Sequence, residues 1–172
     1  FIDNKKRKIL EEAFKNVEIE DKFTDFWHLH GYRNIMLKMK ELINNANKKI
    51  IISGWKREFS ECKKELMSAK RRGVRCTIFS FTEVDEKLGK IVSYKLDEDE
   101  LRKIWTPKII MVVDHSHTLM GSAQSVEQSK AILTQNKAIS EIAMNHIILD
   151  ITLAGQRLGF DSAEYVKDIM RN

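Results

Sequence analysis

The chain has 172 residues, 42% of them hydrophobic and only one a proline, enough for one domain with a packed core and too apolar for a disordered segment. Thirty basic against twenty-five acidic residues leave a formal net charge of +5, a mild excess compatible with nearby nucleic acid but not diagnostic of it. No contiguous apolar run approaches the roughly 18 residues of a membrane span, and the opening FIDNKKRKIL holds no apolar segment of the secretory-signal kind.

In chain order, residues 2–18 read as a helix. Leu10, Ala13, Phe14 and Val17 fall on one stripe with Ile2, while the basic cluster at 5–8 reads as a solvated face. FTDFWHLHG (23–31) has strand character and ends at Gly31. Tyr32 to Asn47 is helical, with Ile35, Met36, Met39, Leu42, Ile43 and Ala46 on one face. KKIIISGW (48–55) is a short buried strand, residues 57–72 a helix with Phe59, Cys62, Leu66 and Ala69 inward, and RRGVRCTIFSF (71–81) a glycine-capped helix end running into a strand. Strand, helix and strand over 48–81 make a βαβ unit with parallel strands. The polar stretch 82–105 reads as an irregular crossover with a short helix at 97–104. Strands follow at 108–114, 117–121 and 131–136. A helix at 137–149 turns Ile139, Ile142, Ala143, His146 and Ile147 to one side, and a last helix is capped by Asp161 or Ser162. Cys62 and Cys76 belong to no CxxC or Cys/His cluster. They read as buried reduced thiols, which fits a cytoplasmic protein.

The most informative stretch is IIMVVDHSHTLMGSAQ (109–124), two apolar strands joined by a polar turn and closing on Gly-Ser. Together with GYRNIMLKMKELINNANKKIIISGW and AKRRGVRCTIFSF, in this order and spacing, it resembles the C-terminal domain of the TrmB family of transcriptional regulators, a relative of the phospholipase D fold. The resemblance covers roughly residues 30–150. It implies an α/β domain, a phospholipase D-like half with a mostly parallel sheet flanked by helices, over 23–172. It also implies a winged-helix DNA-binding domain outside this chain, with residues 1–22 as the linker and dimerisation helix.

Phospholipase D-type enzymes carry HxK(x)4D(x)6GSxN, in which His attacks phosphorus, Lys neutralises the phosphoryl oxygens and the Gly-Ser turn offers donors to the phosphate. Asp114 and Gly121-Ser122 keep the (x)6 spacing, and Gln124 stands where Asn would. Pro107 takes the His position and Ile109 the Lys position, so neither nucleophile nor charge is present. Lys108 is one residue out of register and faces the other way in a strand. His115 and His117 lie downstream of Asp114, in the turn.

The expectation is therefore a non-enzymatic domain that dimerises, senses a small molecule and relays it to a DNA-binding domain. The resemblance implies a sugar or other metabolite as effector. Sugar-binding members run further at the C-terminus than this chain, which favours another ligand or none. Any ligand is expected where strand C-termini meet the Gly-Ser turn, at Trp55, Asp114, Ser122 and Gln124. His28 and His30 form an HxH pair on one strand face, but with no third ligand in the sequence no metal and no cofactor are expected. The alternatives are a phosphodiesterase or nuclease with a displaced catalytic set and a pure dimerisation module.

Overall fold

The computed structural model describes residues 3–23, 26–124 and 127–172, and the side chains of 14–23 are outside the description. Helix α1 (Asn4–Phe23) leads into a seven-stranded sheet: β1 (Phe26–His30), β2 (Lys49–Ser53), β3 (Arg75–Thr82), β4 (Lys90–Leu96), β5 (Lys108–Val113), β6 (His117–Ser122) and β7 (Lys130–Thr134). The spatial order is β1-β7-β6-β5-β2-β3-β4. Between them lie α2 (Tyr32–Asn44), α3 (Lys56–Glu61), α4 (Lys63–Arg71) and α5 (Glu98–Arg102), and the chain closes with α6 (Lys137–Leu158) and α7 (Ala163–Met170).

The α/β class and the flanking helices are as expected; the strand directions are not. Only β2–β3 and β3–β4 are parallel, whereas β1–β7, β7–β6, β6–β5 and β5–β2 are antiparallel. The βαβ unit over 48–81 is present, but it does not extend across the sheet. The three-residue link from β5 to β6 is too short for any crossover, so β6 must return antiparallel. A second difference is β4, which lies inside the stretch expected to be irregular. It is a sheet edge with a partly polar sequence, so its alternation is weak. Its crossover from β3 is only residues 83–89, folded around a 3-10 turn at Glu86–Leu88 whose Leu88 is buried.

Each sheet face carries its own core. On one side, α2, α3 and α4 pack Ile35, Met39, Ile43, Phe59 and Leu66 against Ile50, Ile52, Ile78, Ile109, Met111 and Leu119. On the other, α6 and α7 pack Ala143, Ile147, Ile151, Ala154 and Ile169 against Ile51, Phe79 and Val112. Alternation along each central strand sends successive residues to opposite faces, which makes these strands apolar throughout. The helix expected over 57–72 is two helices that meet at Cys62. Both cysteines are free and buried, and burial pushes each thiol up to about 12. After α4, Gly73 takes a left-handed φ of 87°, its amide donates to the Lys70 carbonyl and that of Val74 to the Ala69 carbonyl. This is the glycine C-cap expected from RRGV.

Helix α6 runs nine residues past its expected end, to Leu158, and is capped by Gly159 at φ 76°. Asp150 and Thr152 interrupt the apolar pattern but break nothing in a helix. Its buried stripe is Ser140, Ala143, Ile147, Ile151 and Ala154, so Ile142 and His146, expected inward, are exposed. By length and mean hydropathy α6 alone among the described helices is long and apolar enough to cross a membrane, but the face just named is buried on the sheet. In α1, Leu10 and Ala13 are exposed, and the packing expected of Phe14 and Val17 lies outside the described side chains.

Lys49 ties the C-terminus to the sheet. Its side chain is 97% buried, and its ammonium donates to the carbonyls of Ile169 (3.3 Å) and Arg171 at the end of α7. A cation there satisfies carbonyls that the helix leaves open and complements its negative end. Lys49→Met leaves the buried Ile169 carbonyl and the part-buried Arg171 carbonyl without this donor. A loss of about 1–3 kcal/mol is expected, read as a lower urea midpoint at unchanged slope.

Candidate functional site

The β5–β6 hairpin places the whole of the phospholipase D-like motif. Its register pairs Lys108 with Ser122, Ile109 with Gly121 and Val113 with His117. Ile109 is 99% buried and packs in the core beneath α2 with Met111 and Val113. Pro107 is also buried, and its carbonyl accepts the amide of Ala123 at 3.0 Å. The two positions that would hold a nucleophile and a cation are thus filled by apolar side chains. Lys108 is exposed, with its ammonium 5.6 Å from the Trp105 ring centre, on the opposite side of the strand as its register requires. His117 and Ser122 stand at opposite ends of β6. Five residues of strand separate them by about 17 Å.

Gly121 survives for a structural reason. A Cβ there would lie 2.3 Å from the Lys130 carbonyl oxygen and 2.5 Å from Ala131 on β7. Backbone approach of this kind admits no larger residue. The Ser122 hydroxyl accepts the Lys130 amide at 3.3 Å and so serves the same strand pair.

Asp114 is a backbone anchor. Its carboxylate accepts the amides of Asn47 (2.9 Å), Lys48 (2.8 Å) and Lys49 (2.9 Å), where α2 hands over to β2. Asp114 and His115 have φ of 51° and 55°, the left-handed pair of a tight hairpin turn. Partial burial raises the Asp114 carboxyl, but the three amide bonds together outweigh it and hold the group below the usual carboxylate range.

The four expected ligand residues therefore do not form one site. Trp55, Ser122 and Gln124 share the end of the sheet where β2 finishes and β5 begins; Asp114 is at the other end. At the first end Trp55 is 97% buried, with the Arg102 guanidinium 5.6 Å from its ring centre. Gln124 is exposed and its amide donates to the Thr106 hydroxyl at 3.4 Å. A polar network that sequence spacing did not single out lies beside them. Arg57 stacks 4.0 Å over the Tyr32 ring and donates to the Ala123 carbonyl (2.6 Å) and to Glu58 Oε1 (3.3 Å). Glu98 accepts the Arg57 amide and the Arg102 guanidinium. Glu58 is 99% buried; its Oε2 and the Tyr32 hydroxyl are enclosed without a hydrogen-bond partner among the described residues. Burial raises both the Glu58 carboxyl and the Tyr32 phenol. Among the described residues no group of three or more His, Cys, Asp or Glu is placed to hold a metal, and His28 and His30 lie exposed on edge strand β1.

At the Asp114 end, α2, β1, the β5–β6 turn and the end of β7 enclose an open cavity of about 760 Å³. Trp27, Leu42 and Leu133 supply apolar wall; Asn47, His117 and Gln135 supply polar groups. Sequence reasoning missed it because these residues come from separate elements with no common spacing. The one local signal is Trp27 on an edge strand, where it remains half-exposed.

Asp114→Asn keeps the shape but loses the charge, and its NH2 group cannot accept the amide or amides that one carboxylate oxygen now takes. A folded-state carboxyl held low stabilises above its unfolded value and loses that contribution as pH falls through the folded one. The variant is expected to be less stable by about 1–2 kcal/mol at neutral pH, with the two stability curves converging in acid, as measured by thermal melts across pH.

These geometries agree with comparisons to known proteins. The family model described as transcriptional regulator TrmB, EBD N-terminal subdomain, matches residues 25–150. An uncharacterised protein, YrhO, from Bacillus subtilis is 23% identical over 129 residues, covering 75% of this chain and 47% of that protein, so the chain spans about half the length of this curated relative. Among solved structures, TrmBL2, an archaeal chromatin protein, superposes with a TM-score of 0.52 at 12% identity over 86% of this chain and 64% of its own. NucT from Helicobacter pylori (0.51, 12% identity, 71% and 93%) and the phospholipase D family member Nuc from Salmonella typhimurium (0.51, 16%, 71% and 91%) share the fold. With more than half of its length matched by that model, the chain belongs to the TrmB family of transcriptional regulators and has a phospholipase D-like fold.

Proposed function

We propose that this chain is the effector-sensing and dimerising part of a TrmB-like regulator, on a phospholipase D-like scaffold that does not hydrolyse phosphodiesters. The observation that carries the second half is the burial of Pro107 and Ile109 where the chemistry needs a nucleophile and a cation. DNA contact belongs to a winged-helix domain N-terminal to the described domain, with α1 as the connector. The similarity to TrmBL2, described as an archaeal chromatin protein with a novel mode of DNA binding, supports a role at DNA. A homodimer suits it, because paired winged helices match a pseudo-palindromic operator. Exposed Ile104 and Trp105 beside the motif, and Ile142, Leu149 and Leu153 along α6, are apolar surface of the kind a partner copy covers. The cytoplasm is where such a regulator works.

No hydrolysis of bis-p-nitrophenyl phosphate or of nucleic acid is expected from highly purified protein. Turnover that disappears in His115→Ala or His117→Ala would establish the displaced-catalyst alternative instead.

Light scattering coupled to size exclusion, at micromolar protein, is expected to give twice the 20.1 kDa chain mass. A monomeric mass sinks the dimer.

A further inference from the structure

We infer that the end of the sheet where β2 and β3 begin is a contact surface for the sugar-phosphate backbone of duplex DNA, touched without regard to base sequence. The inference rests on the regulator reading, which brings DNA to the molecule, and adds a second contact made by this domain itself.

Three elements build the surface. α4 ends in AKRR, Gly73 turns the chain and Arg75 opens β3. The Arg75 amide donates to the Lys48 carbonyl at 3.0 Å, and Arg75 is the register partner of Lys49, so Lys48 and Arg75 stand side by side at two neighbouring strand starts. α7 finishes at the same end, where Lys49 takes the carbonyls of Ile169 and Arg171. Lys48, Lys70, Arg71, Arg72, Arg75 and Arg171 are all exposed. The carboxylates beside them are already committed: Asp114 to three backbone amides and Asp168 to Lys90.

Helix ends account for only part of this charge. Arg72 donates to the carbonyls of Ile43 (3.0 Å) and Ala46 (3.3 Å) past the end of α2, Lys70 to that of Lys87 (2.8 Å), and Lys49 to those that close α7. Cations in such places satisfy carbonyls that a helix leaves open. The side chains of Lys48, Arg71, Arg75 and Arg171 make no hydrogen bond or ion pair among the described residues. Like charges crowd here: burial pushes the Lys49 ammonium below its ordinary pKa, and Arg75 and Arg171 push it further, with Asp168 working against them. Unpaired cations held together repel one another, and a polyanion relieves that repulsion while releasing its own counterions.

The distribution of the free cations selects the partner. They are spread over a strand start, a helix end and the last residues of the chain, and Lys48 alone of the four lines a cavity among the described residues. This suits a row of phosphates better than one small anion. No large apolar side chain between residues 38 and 95 is exposed, which leaves this block nothing to seat in a bilayer. The contact comes from the ends of elements rather than the side of a helix, so it reaches backbone and not base edges.

The test follows binding of the 1–172 chain to two short fluorescein-labelled duplexes of unrelated sequence by anisotropy, over a series of salt concentrations. Both are expected to bind equally, with affinity falling steeply as salt rises. Lys48→Gln, Arg71→Gln and Arg75→Gln are each expected to lower the slope of log affinity against log salt by about 1 at an unchanged melting temperature, and together to weaken low-salt binding about tenfold or more. If Arg75→Gln lowers the melting temperature, Lys48→Gln and Arg171→Gln give the same reading, because their side chains hold nothing in the fold. The basic run at 5–8 on α1 is the control: binding that survives the three substitutions but is lost in Lys5→Gln with Lys6→Gln overturns the location. Binding to phosphatidylserine vesicles without binding to either duplex overturns the partner, and a strong preference for one duplex overturns backbone contact. No binding to either duplex at low salt overturns the proposal, while the regulator reading, whose main DNA contact lies outside this domain, is decided separately by the mass and hydrolysis measurements.

Discussion

The hold of Asp114 on the three amides of residues 47–49 is the constraint on which the architecture turns. It fastens the β5–β6 turn to the point where α2 becomes β2 and so sets the antiparallel register of β2 against β5. That register joins the parallel half of the sheet, β2, β3 and β4, to the antiparallel half, β5, β6, β7 and β1. The three amides follow the end of α2, and one ionised carboxylate serves all three with charge-assisted bonds. The same turn bounds the cavity beneath α2, so the anchor and the open site share a wall.

Each retained position of the phospholipase D-like motif has a structural role. Asp114 orders the sheet, Gly121 lets β7 approach, and Ser122 satisfies a β7 amide. Of the residues that differ from the enzyme pattern, Ile109 packs in the core and Pro107 is buried. The fold keeps what holds strands together, while the reactive positions tolerate apolar replacement because packing rewards it. At that end of the sheet Arg57, Glu58, Glu98 and Arg102 form a pinned network around Trp55 and Tyr32.

The two ends of the sheet thus differ in what they offer a partner. One is filled by paired charges and a buried indole. The other has apolar walls with amide, imidazole and charged side chains around them, and it is bounded by β1.

The sequence by itself determined the elements with strong local signals. These are the apolar stripe of α2, the buried β2, the Gly73 cap and the β5–β6–β7 strands, and also the absence of His and Lys at residues 107 and 109. Hydrophobic period, turn chemistry and motif spacing are local properties, readable without a partner. Tertiary structure alone decided the rest. Strand direction depended on which neighbours a short link can reach, β4 on the edge it completes, and the buried face of α6 on the sheet beneath it rather than on its nearly uniform apolarity. Asp114 looks like a ligand residue in the linear motif and becomes an anchor only when residues 47–49 arrive beside it. The cavity is the extreme case: residues from α2, β1, the hairpin turn and β7 meet only after folding, and no spacing along the chain records that they do.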